Sequence, residues 1–327
     1  MFYEQIGDEK VRCHLCAHHC TIKEAKRGIC NVRENQKGKL YSLVYGKAAS
    51  LVPDPIEKKP LYHFHPGTQV LSFGTMGCNF QCLFCQNASL ARGEPESQYL
   101  SELTVEDIVD QALKYDGIAW TYNEPTVSYE FSYDVFREYK KAGGGYTAYV
   151  TNGYMELEPL EKLSPHLDAM NIDIKAFTDY FYEEILGARL QPVLDNAIKS
   201  VELGIHTEVT YLIIPEHNDE SEELREFSEW VRDDLGRDVP VHFSRFHPAH
   251  RMQDVPTTPE KKMKEAKDIA QKVGLNYVYL GNLPADNSTR CPGCGDVVLS
   301  RSYFSSSKSK LENGKCKKCG TDIPIVY

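Results

Sequence analysis

From residue 68 to residue 280 the chain repeats one rhythm, a short apolar or alternating run followed by a longer stretch with apolar positions at helical spacing. Residues 68–74 read as the first strand. Thr104 then opens a helix with Asp107 placed to close a capping box, and Val105, Ile108, Val109, Ala112 and Leu113 share one face. Further strands are predicted at 117–122, 146–152, 170–175, 206–214 and 239–247, and a short last one at 277–280. Helices are predicted to about residue 141, at 190–203, at 221–235, and from Thr258 as N-cap with Pro259 at N1 to Gly274. In the fourth strand Met170, Ile172 and Ile174 alternate with Asn171, Asp173 and Lys175, so one face is apolar and the other polar. Strands alternating mostly with helices imply parallel βα units. The fold class predicted is α/β, a partial (βα)6 TIM-like barrel with its ligands at the carboxyl ends of the strands.

Eleven cysteines interrupt this rhythm in groups of four, three and four. Cys78, Cys82 and Cys85 follow the first strand at the spacing C-x3-C-x2-C. Three thiolates leave one position of a four-iron cluster open for a ligand that is not protein, whereas structural zinc and electron-transfer clusters take four protein ligands. A three-thiolate zinc site completed by a distant His is the plain alternative. Cys13, Cys16, Cys20 and Cys30 form an N-terminal knuckle too poor in apolar residues to hold itself together. Zinc and a second iron–sulfur cluster both fit there, one of His14, His18 and His19 can replace a cysteine, and four reduced structural cysteines remain an alternative. Cys291, Cys294, Cys316 and Cys319 are two C-x2-C pairs, the pattern of a zinc ribbon or a rubredoxin-like iron site.

An odd cysteine count with no residue left over from metal-ligand spacing excludes a full disulfide framework and places the chain in a reducing, cytoplasmic setting. At 327 residues one large domain with appendages is expected: 1–66 as the Cys-rich segment and connection, 67–284 as the barrel, 285–327 as the closing module. The proline-punctuated connection at 54–67 is expected over the active-site mouth, with His63 and His65 as packing residues. No apolar run approaches the roughly 18 residues of a membrane span, so no membrane partner is expected. A formal charge of −10 argues against broad phosphate-backbone binding. The exception is the tail at 301–318, six basic residues against Glu312, which reads as a solvated face or as a contact for RNA or an acidic partner.

The GCNFQCLFCQN run at 77–87, the connection at 54–67, TYNEPT at 121–126, TNG at 151–153 and both flanking cysteine sets together resemble the radical S-adenosylmethionine (SAM) protein of the AmmeMemoRadiSam system, itself similar to pyruvate formate-lyase activating enzyme. The resemblance implies that Cys78, Cys82 and Cys85 ligate a [4Fe-4S] cluster whose fourth iron takes SAM. It implies that Asn123 and Glu124 stand where relatives carry Gly-Gly-Glu to receive the methionine amine; both glycines are missing here. Asp173 and Lys175 lie where activating enzymes place a polar strand end near SAM, with an internal salt bridge as the alternative; Asn152 and His247 are candidates by position. The implied chemistry is reductive cleavage of SAM to a 5′-deoxyadenosyl radical, fed by an external electron donor and directed at a protein, for instance to install a glycyl radical. RNA or a small molecule as substrate, and a metal-rich scaffold without catalysis, are the alternatives.

Overall fold

The computed structural model of the chain describes residues 1–7, 9–302, 304–306 and 310–327. One eight-stranded sheet organises it: β1 (Ser50–Pro55), β2 (Gln69–Gly74), β3 (Gly117–Trp120), β4 (Tyr146–Thr151), β5 (Ala169–Asp173), β6 (His206–Ile213), β7 (Val241–Arg245) and β8 (Val278–Gly281). Strands β2 to β8 are parallel and each pairs with the next in sequence, while β1 runs antiparallel along β2. Sequential order with helical crossovers is the winding of a barrel, and because β1 and β8 are left as the two edges the barrel is open. The six predicted strands are all present. The short last strand predicted at 277–280 is β8, a seventh parallel strand, and the sheet begins with β1, seventeen residues before the barrel boundary expected at 67.

Alternation decides which way each side chain points. Leu71, Phe73, Ile118, Trp120, Met170 and Ile172 face outward into the main core with the helices, as the apolar periodicity requires. Small Val70, Ala119, Ala148 and Ala169 form a separate cluster with Ile56, Leu61 and Phe64 inside the barrel. The helix at Val105–Ala112 starts with the predicted box, Thr104 accepting from the Asp107 amide at 3.1 Å and the Asp107 carboxylate from the Thr104 amide at 2.9 Å. Thr258 does not cap the last helix, Glu260–Val273, whose N-cap is Pro259. Its hydroxyl instead donates to the Ile213 carbonyl at 2.5 Å and accepts from the Phe246 amide at 3.1 Å, tying the ends of β6 and β7 together.

The connection at 54–67 lies at the opposite end of the barrel from the cysteine loop. Asp54 pairs with Val70 at the start of β2, and the Ile56 amide donates to the Thr68 carbonyl at 3.1 Å. Phe64 packs on Tyr146 and His206, the first residues of β4 and β6. The segment therefore plugs the amino end of the barrel, and the expectation that it covers the active-site mouth is overturned. Proline punctuation marks a connection but not which end of a sheet it crosses. Inside, Lys59 is 2% exposed and pairs with Asp54 at 2.7 Å while lying over the Tyr122 ring. Glu208, fully buried, accepts from the His63 amide at 2.7 Å and meets His206 and His242 at 3.0 and 2.6 Å.

The closing module rests on this plug. Tyr62, Tyr277 and Tyr279 share an apolar cluster with Cys291, Val298, Leu299, Cys316 and Ile323, and Phe64 forms a parallel bridge with Val326. The polar loop predicted at 305–310 lies partly outside the described residues, as does Lys308 of the basic tail. His63 is the keystone. A carbonyl can only accept, so Nδ1 carries the proton toward Pro324 at 3.1 Å, and Nε2 accepts from the Tyr279 hydroxyl at 2.6 Å.

Burial pushes the His63 ring down to about 3 from its ordinary 6.5. The unfolded chain then takes up a proton below pH 6.5 that the folded chain refuses until about 3, so this contribution is complete above 6.5 and lost as pH falls. The unfolding free energy from denaturant titration should decline by up to about 1.4 kcal/mol per pH unit between pH 6.5 and about 5, where carboxylates are still ionised. His63→Asn, which keeps a donor toward Pro324, should flatten that slope; an unaltered slope would remove His63 as its source.

Candidate active site

The cysteine loop leaves β2 at its carboxyl end, where the parallel winding places ligand sites. Regular structure is almost absent from residues 75–87, so the loop is held from outside. The Asn123 side chain accepts from the Thr75 amide at 3.0 Å and donates to the Gly77 carbonyl at 2.8 Å, pinning the loop to the end of β3. The Gln81 and Leu83 amides donate to the Leu186 and Ile185 carbonyls at 2.8 and 3.3 Å, and the Arg251 amide donates to Leu83 at 2.9 Å. Gly77 has φ +93, and a Cβ there would stand 2.6 Å from Val32 and 2.8 Å from the Cys30 carbonyl. The N-terminal knuckle thus presses directly on the loop. The Ala17 amide on the Tyr154 carbonyl and the Glu156 amide on Leu15 stitch it to the end of β4 as well.

Cys78, Cys82 and Cys85 are half-buried, and Cys82 interacts electrostatically with both of the others. Burial pushes the Cys82 thiol up to about 12, with Lys175 opposing, and raises Cys78 likewise. Sulfur stripped of water needs a metal to hold it as thiolate. Among the described residues, Cys291, Cys294, Cys316 and Cys319 are the one set of three or more such ligands whose atoms all lie within 4.8 Å of one another. Four thiolates on a single tetrahedral ion stand about 3.8 Å apart. The pairs Cys291–Cys319 at 3.4 Å and Cys294–Cys316 at 3.8 Å match that spacing. The central three are spread wider, which suits a cluster of several irons.

Asn152, 6% exposed, aims its amide nitrogen at Cys78 Sγ at 3.9 Å and at Asn79 Oδ1 at 2.8 Å. Lys175 and Asp173 pair at 2.6 Å at the end of β5 beside Cys82. Glu124, 3% exposed, accepts from the Thr126 amide and hydroxyl, the Thr151 hydroxyl and the Asn152 amide at 2.6–3.0 Å. A carboxylate offers about four acceptor sites. Oε1 takes three of these donors and Oε2 takes the Asn152 amide alone, so Glu124 joins the ends of β3 and β4 while Oε2 keeps a lone pair. His247 stands apart, exposed on the rim, with Nε2 3.5 Å from the Asn282 carbonyl. Of the six predicted contact residues, the fold gathers Asn123, Glu124, Asn152, Asp173 and Lys175 around the loop, while His247 is exposed just beyond β7.

The pattern gave no signal for Asn79, Gly77 and Arg33, whose importance lies in long-range packing. Asn79 sits one residue from Cys78 and also lines the pocket of the N-terminal cysteines; Arg33 lines the same pocket and pairs with Glu130 at 2.5 Å. Each of the three knuckle histidines has a partner outside the cysteine set. His18 lines the pocket but its Nε2 donates to the Asn79 carbonyl at 2.7 Å, while His14 and His19 pair with Glu4 and Glu156 at 3.2 and 3.0 Å.

A parallel open barrel with three cysteines on the loop after its first parallel strand defines the class. The chain belongs to the radical SAM superfamily, whose family model matches residues 73–228. Uncharacterized protein MJ0808 of Methanocaldococcus jannaschii is 48% identical over 332 residues, spanning 100% of this chain and 98% of that protein. Pyruvate formate-lyase 1-activating enzyme of Escherichia coli K12 is 24% identical over 235 residues, covering 65% of this chain and 93% of that enzyme. In fold the chain is similar to Streptococcus suis SuiB solved with its precursor peptide SuiA, with a TM-score of 0.50, 12% identity, and coverage of 69% of this chain and 51% of that one. No helix of the described residues is long and apolar enough to cross a membrane.

Gly77→Ala should strain the backbone by about 1–3 kcal/mol and push the knuckle off the loop. Iron bound after anaerobic reconstitution should fall. Full iron loading with an unchanged denaturant midpoint would show that this contact does not hold the loop.

Proposed function

We propose that the chain is a radical SAM enzyme that acts on a protein, in the manner of an activating enzyme, with Cys78, Cys82 and Cys85 holding a [4Fe-4S] cluster. The observation that carries this reading is the three-thiol loop, spaced too widely for one ion, pinned at the carboxyl end of β2 among buried polar strand ends. When bound, the cluster and SAM supply one-electron reductive cleavage to a 5′-deoxyadenosyl radical. The chain's own contribution is position and exclusion of water. Asn152 donates toward Cys78 Sγ, the Asp173–Lys175 pair sets a fixed dipole beside Cys82, and Glu124 keeps Thr126, Thr151 and Asn152 in register. We place the methionine end of SAM along the edges of β3 and β4 near Asn123 and Glu124, with Oε2 of Glu124 and the backbone of those strand ends receiving the amine. Zinc suits the compact closing site.

The plug closes the amino end of the barrel, so a target residue enters from the carboxyl end. The likeness to pyruvate formate-lyase 1-activating enzyme supports a protein target, and the quoted motifs favour the AmmeMemoRadiSam type. RNA as substrate rested on the basic tail. That tail belongs to the module packed on the plug, away from the cysteine loop.

Anaerobically reconstituted, reduced protein should convert SAM to 5′-deoxyadenosine, and Cys82→Ala should not; a loaded, reduced protein that makes none would refute the reading. Glu124→Ala strands four donors at about 1–3 kcal/mol each. It should weaken SAM binding tenfold or more while leaving iron bound, whereas unchanged SAM affinity would remove this strand end from the site.

A further inference from the structure

The knuckle raises a question that its spacing leaves open, namely what Cys13, Cys16, Cys20 and Cys30 hold. All four line one cavity of about 20 Å³, enclosed by Leu15, Ile22 and Val127, and larger than the roughly 10–15 Å³ of a single water. They are not a compact ion site, since no three of them meet within the 4.8 Å that the closing four satisfy. Like the central three, they are not gathered within that distance. A cubane cluster spreads its four thiolates because each binds a different iron, which suits a set that is not gathered as the closing four are.

A second observation comes from the cavity wall. Arg33 is 3% exposed and Asn79 1%, and both line the cavity. Arg33 Nε and Asn79 Nδ2 are buried donors without a partner. Buried N–H groups are rarely left unpaired, so such atoms beside a cavity point to an acceptor that belongs there. A cluster with four thiolates is anionic and rich in accepting sulfur, and hydrogen bonds to its sulfurs help set its potential. Arg33 also brings a positive charge, buried and balanced by Glu130 on its far side.

We propose that Cys13, Cys16, Cys20 and Cys30 ligate a second [4Fe-4S] cluster, fully coordinated by protein and separated from the first cysteine of the central loop by Asn79. It stands independently of the SAM reading. Its four-cysteine set leaves no open iron, so the second cluster binds no SAM.

The test is the full chain carrying Cys78→Ala, Cys82→Ala and Cys85→Ala together, purified anaerobically and reconstituted. About four iron and about four sulfide per chain should remain, with the absorbance and Mössbauer signature of a [4Fe-4S] cluster, and adding Cys16→Ala and Cys20→Ala should abolish them. Two zinc per chain and no iron in the triple variant would overturn the proposal. Should the variant fold poorly, the wild-type chain decides the matter: about eight iron is expected, and about four with two zinc contradicts it. In wild-type protein reduced at both sites, magnetic broadening of each cluster's resonance by the other is expected from their proximity, and two non-interacting signals would contradict the placement beside Asn79.

Discussion

The structure depends on holding three sulfurs in place on a loop that has almost no regular backbone of its own. Free thiols at a water-poor strand end do not fix themselves, and the loop gains its shape from hydrogen bonds made by other segments. Asn123 spans from Thr75 to Gly77, Glu124 binds the ends of β3 and β4 into one edge, and Asn152 hangs from that edge to meet Cys78. Each is buried, and a buried polar group left unpaired costs about 1–3 kcal/mol. The network is thus complete or costly, which makes the strand ends rigid where a reactive group must be confined.

Burial of polar groups extends through the barrel. Asp54, Lys59 and Tyr122 interlock inside it, and Glu208 gathers His206, His242 and the His63 amide near the amino end. Around them the outer faces of the strands are mostly apolar. The plug, with the closing module docked on it through His63 on the Pro324 carbonyl and Arg301 on the Tyr62 carbonyl, turns an open barrel into a vessel with a single mouth. The knuckle packs at that mouth against Gly77, so two of the three cysteine sets are neighbours and the third lies at the far end.

Strand order, helix faces and cysteine sets were legible because they are local: the capping box at Thr104, the alternation from Met170 to Lys175 and the C-x2-C pairs each declare themselves within a few residues. Thr258 was misread as a cap because the same hydroxyl that closes a helix end can bridge two strands, and only the fold decides between them. The tie that Glu124 makes between β3 and β4 was not legible, since its donors come from Thr151 and Asn152, more than twenty residues away. The connection at 54–67 was assigned to the wrong end of the barrel for the same reason; β1 reads as ordinary coil until its antiparallel partner is known.

The central claim is that the three-thiol loop presents an iron with an open position to SAM. Mössbauer spectra of the reconstituted, iron-57-enriched protein with and without SAM test it most directly. One iron per chain should change its isomer shift on adding SAM while every other iron stays as it was. Spectra that superimpose at saturating SAM would contradict the account.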